Sequence, residues 1–114
     1  MSAPFVWFDL HTNDEAETLA FYRELLDWEI EGGSGQPAMV KGTEGPWAAV
    51  AANADGDSQW VPYVQVPDVD AATSKARQLG ARILSGKTRG PAGEFAVITD
   101  PAGAKLALWQ PAGA

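Results

Sequence analysis

Polar and apolar positions alternate strictly at the start of the chain. Between Phe5 and Leu10, Val6, Phe8 and Leu10 share one face of an extended segment, while Trp7, Asp9 and then His11 share the other. Pro4 and the polar run His11-Thr12-Asn13-Asp14 bound this segment, which predicts a strand followed by a helix. The helix is expected from about Asp14 to Asp27, with Thr12 and Glu15 spaced as a capping box. Its apolar face is either Leu19, Tyr22 and Leu26 or Phe21 and Leu25. Short strands then follow at Trp28–Ile30, Ala38–Lys41 and Trp47–Ala52, with a turn over Gly32 to Gly35. The polar stretch Ala52 to Gln59 has the composition of a connector.

Beyond it the same order of elements returns. Trp60–Val66 is predicted as a strand and Asp68 as an N-cap. Val69–Leu79 is a helix with Val69, Ala72, Ala76 and Leu79 on one face, and Gly80 stops it. Strands at Arg82–Leu84, Phe95–Thr99 and Lys105–Gln110 complete the second half. A shift of 54 residues carries Asp14 onto Asp68 and Trp7 onto Val61, so the chain reads as β-α-β-β-β twice. At 114 residues this is expected to be one domain of the α+β class, module one over 1–53 and module two over 58–114.

Composition narrows the function. The 46% hydrophobic and 20% charged content is that of a globular chain rather than a disordered one. A formal charge of −7, with no basic run, repels phosphate backbones and anionic lipid, so neither nucleic acid nor membrane is expected as a partner. There is no cysteine, hence no disulfide, thiolate nucleophile or thiolate metal site. Met1-Ser2-Ala3-Pro4 lacks the basic and apolar regions of a signal peptide, and the expected location is the cytoplasm. Gly32-Gly33-Ser34-Gly35 lacks the Lys-Ser/Thr ending and the strand-to-helix setting of a phosphate loop, and reads as a hairpin turn. Lys87, Arg89 and the glycines around Pro91 read as a solvated loop, with a mobile flap as the alternative.

Five short pieces stand in a characteristic order: Phe5-Val6-Trp7-Phe8-Asp9-Leu10, Phe21-Tyr22-Arg23-Glu24-Leu25-Leu26-Asp27-Trp28, Val64-Gln65-Val66-Pro67-Asp68-Val69, Leu79-Gly80-Ala81 and Asp100-Pro101-Ala102-Gly103. Together they resemble the vicinal oxygen chelate superfamily, the group of glyoxalases, bleomycin-resistance proteins and extradiol dioxygenases. The resemblance covers nearly the whole chain. It implies two βαβββ modules whose sheets curl into a cup, often in a homodimer, with a small molecule inside. In metal-dependent members His and Glu on the first and last strands of each module hold one divalent ion. Carried over, those positions are Trp7, about Ala49, Val61 and Ala107, none of which can ligate a metal. The expectation is therefore a degenerate metal site and no cofactor, which argues against metal-dependent glyoxalase, dioxygenase and fosfomycin-opening reactions.

The resemblance also implies a cup lined by alternate residues of its strands. On this reading Trp7, Asp9 and His11 face it from the first strand, Tyr63 and Gln65 from the fifth, and Lys105, Ala107 and Trp109 from the last, with Trp47 as a further aromatic contact. Ala49 and Ala107 leave room at its floor. Aromatic rings with a few polar groups are the usual lining of a small-molecule pocket. Two functions follow: binding of a small aromatic or cationic molecule, with Asp9 and Gln65 orienting it, or metal-free catalysis using Asp9 and His11 as an acid–base pair. The second would make the chain a lyase, isomerase or dioxygenase of the same superfamily, unless an unrecognised metal site serves. The plainer role for His11 and its neighbours is capping the helix that follows.

Overall fold

Two aspartates start the two helices in the same way. Asp14 accepts a hydrogen bond from the Glu17 amide at 3.0 Å, and Asp68 accepts from the amides of Asp70 and Ala71 at 3.0 and 3.1 Å. Each side chain thus satisfies amides that have no partner within the first helical turn. In a computed structural model, which describes residues 5–33, 37–52, 58–90 and 92–112, the elements are β1 (Trp7–Thr12), α1 (Glu15–Leu25), β2 (Glu29–Glu31), β3 (Ala38–Gly42), β4 (Gly45–Ala52), β5 (Gln59–Gln65), α2 (Val69–Gln78), β6 (Arg82–Gly90), β7 (Gly93–Thr99) and β8 (Lys105–Pro111). The chain is of the α+β class, as expected, and β-α-β-β-β occurs twice. No helix among the described residues is long and apolar enough to cross a membrane.

The chain divides into two compact units, one over Trp7–Val61 and the other drawn from Met1–Val6 and Pro62–Ala114. The division falls within β5. Residues 53–57 of the expected connector lie outside the described residues, as do residues 34 and 35 of the glycine turn, residue 91, and residues 1–4.

In the Trp7–Val61 unit the strand order is β2-β3-β4-β1, with β1 parallel to β4 and the other pairs antiparallel. Leu10, Leu19, Ala38, Val40, Ala48 and Val50 form its buried core, and Tyr22 and Trp28 pack against it. Leu19 and Tyr22 therefore mark the inner face of α1. Phe21 and Leu25, the other candidate pair, are 56% and 60% exposed. The expected capping box does not form: Thr12 ends β1, and its hydroxyl accepts from the Asp14 amide at 3.1 Å, which moves the cap to Asp14.

In the other unit the order is β5-β8-β7-β6, with β5 parallel to β8. Val69, Ala96, Ile98 and Leu108 are its core, joined by Ala72 and Ala76 of α2. Leu79 does not continue that face; it is the C-cap and is 68% exposed. Gly80 follows at φ +101°, the left-handed conformation that ends a helix most readily at glycine. The loop expected at Lys87 and Arg89 is instead strand, because β6 pairs with β7 as far as Gly90 opposite Gly93. Lys87 donates to Asp70 of α2 at 3.0 Å, and this bond, with the nearby negative charge, raises the lysine above its ordinary pKa.

Gly93 is fixed by both backbone and space. Its φ is +148°, and a Cβ there would collide with the carbonyl oxygen of Gln110 on the paired strand. Gly93→Ala is expected to cost about 2–4 kcal/mol, read as a lower denaturation midpoint with an unchanged slope.

Candidate functional site

The face of β1 opposite the core carries its polar chemistry. Phe8 and Leu10 belong to the cluster beneath α1, so alternation sends Trp7, Asp9 and His11 to the other side. Trp7 Nε1 donates to Asp9 Oδ1 at 2.7 Å, and Asp9 Oδ2 lies 3.7 Å from His11 Nε2. The His11 and Asp9 side chains are 28% and 19% exposed. The three residues thus form a continuous line along one strand, an indole donor and an imidazole on either side of one carboxylate.

Register sets which residues of β4 lie beside this line. Asp9 pairs with Ala49 and His11 with Ala51, and on the next strand Met39 pairs with Ala49. In a parallel pair neighbours in register share a face, so the carboxylate and imidazole meet only methyl groups from β4. A glutamate at 49 would stand directly beside Asp9; alanine leaves the carboxylate as the acidic group at that level of the β1–β4 pair.

The remaining sequence candidates separate into other settings. Trp47 packs with Phe8, centroids 6.1 Å apart, and with Trp28 at 4.9 Å, both edge-on. It thereby joins the aromatic border of the core beneath α1 rather than the Trp7 line. The β3–β4 register steps from Val40 opposite Ala48 to Lys41 opposite Pro46, so Trp47 falls at the irregularity and does not follow the alternation of Ala49 and Ala51. Tyr63, Gln65 and Trp109 belong to the other unit. Tyr63 pairs with Ala107 and Gln65 with Trp109, so these residues do share a face of the β5–β8 pair, as alternation predicted. Tyr63 is buried and tilted against Phe95 at 5.8 Å, Trp109 is half-buried, and Gln65 is exposed. Sequence reasoning missed Phe95, which pairs with Trp109 on β7 and extends the same face; the period-two spacing of Phe95, Val97 and Thr99 was the available signal.

Among the described residues no three His, Cys, Asp or Glu side chains come together as a set able to hold a metal ion. The four positions that the family resemblance assigns to ligands carry an indole, two methyl groups and an isopropyl group: Trp7, Ala49, Ala107 and Val61.

Comparison with known proteins settles the family. The glyoxalase-like domain model matches residues 6–109. This chain belongs to the glyoxalase-like domain family, within the vicinal oxygen chelate superfamily. A relative named as a glyoxylase, CFP32 of Mycobacterium tuberculosis (strain CDC 1551 / Oshkosh), is 33% identical over 115 residues, which cover 91% of this chain and 44% of that protein. The anthracycline biosynthesis protein DnrV of Streptomyces peucetius is 29% identical over 125 residues, 91% of this chain and 46% of that one. The glyoxalase-like chain thus spans less than half the length of these relatives. Among solved structures, the Mn(II)-bound glyoxalase from Novosphingobium aromaticivorans superposes with a TM-score of 0.69 at 16% identity, over 96% of this chain and 40% of that one. This last likeness is one of fold.

The Trp7–Asp9 hydrogen bond is charge-assisted and partly shielded, a class worth about 1.5–3 kcal/mol. Trp7→Phe keeps an aromatic ring and deletes only the donor. Its stability is expected to fall by about 1–2 kcal/mol in chemical denaturation, whereas Trp7→Phe combined with Asp9→Leu should recover part of the loss, because no carboxylate is then left short of a donor.

Proposed function

We propose that this glyoxalase-like domain binds a small aromatic or cationic molecule against the Trp7, Asp9 and His11 face, without a divalent ion of the kind its metal-dependent relatives use. The observation that carries this reading is the 2.7 Å bond from the Trp7 indole to Asp9. It fixes a ring beside a carboxylate on a face whose neighbours on β4 are alanines. A planar ligand can stack on the ring, and a cationic one gains from the ring face and the carboxylate together. DnrV's name connects it with anthracyclines, which are planar polycyclic aromatics, and this adds support for an aromatic ligand.

The residues do not fit a divalent ion of the Mn(II) type. A catalytic divalent site takes about three protein donors, and Trp7, Ala49, Val61 and Ala107 supply none. Asp9 and His11 are two donors at most, and Asp9 is already engaged by the indole. Purified protein dialysed against chelator is expected to retain far less than one equivalent of metal by elemental analysis. Retained stoichiometric zinc, nickel, iron or manganese would overturn the metal-free part of the proposal.

The 3.7 Å approach of His11 to Asp9 favours one alternative, a metal-free lyase or isomerase in which this pair moves a proton. Binding and turnover separate the two readings. A planar aromatic amine selected by tryptophan fluorescence should bind several-fold to about tenfold more weakly to Trp7→Ala, as the loss of about 0.5–1.5 kcal/mol of stacking requires. Asp9→Asn, which keeps an acceptor for the indole but removes the charge, should weaken cationic ligands more than neutral ones. Should the ligand instead be consumed, with turnover abolished in His11→Gln while binding persists, the enzymatic reading replaces the binding one.

A further inference from the structure

On the side of β1 opposite Asp9 and His11, the same unit holds a cleft of about 450 Å³ bounded by α1, the end of β1 and the start of β5. Thr12, 1% exposed, lies at its base. The Thr12 hydroxyl oxygen accepts from the Asp14 amide at 3.1 Å and from the Ser58 hydroxyl at 3.4 Å. Both lone pairs are then used, so its own hydrogen goes to Thr18 Oγ1, 2.7 Å away. Thr18 therefore keeps its hydrogen to donate. The same holds one turn along α1, where the Tyr22 hydroxyl accepts from Trp60 Nε1 at 3.3 Å. Residues four apart on a helix are neighbours, about 5–6 Å between Cβ atoms. Thr18 and Tyr22 both line the cleft, and each has a hydroxyl hydrogen to donate.

The rim carries the opposite chemistry. Asp14 uses Oδ1 for the Glu17 amide, and the Asp14 and Glu17 carboxylates both border the cleft as acceptors. Beside them Phe21 is 56% exposed, with its ring held edge-on to Tyr22 at 5.1 Å and 84°. A purely apolar occupant would leave the two donors unpaired at a cost of about 1–3 kcal/mol each. An anionic occupant would meet two carboxylates. What fits is a ring with an apolar C–H face for Phe21 and edge hydroxyls, each of which can accept from Thr18 or Tyr22 and donate to Asp14 or Glu17.

We infer that this cleft is a binding site for an uncharged sugar ring, distinct from the Trp7 face and independent of what that face binds. The probes are the methyl α-pyranosides of glucose, galactose and mannose, each titrated to about 50 mM into the ¹⁵N-labelled full chain. At least one is expected to give saturable shifts at the amides of Asp14 to Tyr22 and at the Trp60 indole, leaving the Trp7 indole unmoved. Phe21→Ala, an exposed position whose spectrum reports whether the fold is kept, should weaken that sugar several-fold to about tenfold. Thr18→Val should weaken it by about fivefold, and Trp7→Ala should not change it. The proposal is overturned if none of the three glycosides gives saturable shifts, if affinity survives Phe21→Ala unchanged, or if the shifts centre on Trp7 and disappear in Trp7→Ala.

Discussion

Burial of Leu10 in one cluster with Leu19 of α1 and Val50 of β4 decides the direction of every other side chain on β1. Because strand side chains alternate, a single covered position commits the whole strand: Phe8 and Thr12 must turn inward with Leu10, and Trp7, Asp9 and His11 must turn away. A slip of one residue would place a carboxylate and an imidazole beneath the helix, at a desolvation cost of several kcal/mol. That penalty fixes the register more firmly than the modest apolar gain of any one residue. The candidate site on one face and the hydroxyl cleft on the other are both consequences of it, since Thr12 reaches α1 only when Leu10 does.

The periodic parts of the fold were readable from residues alone for this reason. Each of the eight strands and two helices described overlaps a segment that the residue pattern marked, and Asp68 caps α2 as expected. The misplacements cluster at ends, where tertiary bonds outrank local pattern. Thr12 looked like a cap because threonine with glutamate three residues on is a common helix start, yet its hydroxyl is drawn to Thr18 and Ser58, and β1 runs on to meet them. Lys87 and Arg89 looked like a loop because charge and glycine suggest one. An edge strand tolerates charge, and Glu94 on β7 lies 3.7 Å from Lys87 and 3.6 Å from Arg89, so the hairpin extends to Gly90. At the candidate site, alternation placed Trp7, Asp9 and His11 correctly on one face. No rule of spacing could show that the indole would reach back to the carboxylate, or that a register shift in the β3–β4 pair would fall at Trp47.

Family membership constrains the scaffold far more than the chemistry. A fold superposing on a Mn(II)-bound glyoxalase with a TM-score of 0.69 shares backbone geometry at 16% identity, and almost nothing of a site need survive at that distance. In this chain the residues at the positions that the resemblance assigns to ligands suit the packing they sit in. Val61 and Ala107 are fully buried and Ala49 nearly so, each small or β-branched on a strand. Such positions favour dense packing, where a carboxylate without its ion would be an unpaired buried charge.

The indole–carboxylate bond also bears on how the Trp7 face can recognise anything. Residues two apart on a strand are separated by about 6.6 Å, so only a long side chain can turn back along the strand to meet its neighbour's carboxylate. Tryptophan does so with its N–H at 2.7 Å, which holds the ring in one orientation before a ligand arrives. Ordering a free aromatic side chain on binding costs about 0.5–1.5 kcal/mol, comparable to the whole stacking gain. On the proposed reading, Asp9 would act on a stacked ligand in two ways, through its own charge and by removing that ordering cost from Trp7. The two effects differ in sensitivity: the charge acts on cationic ligands alone and weakens with salt, whereas the ordering acts on every planar ligand and does not.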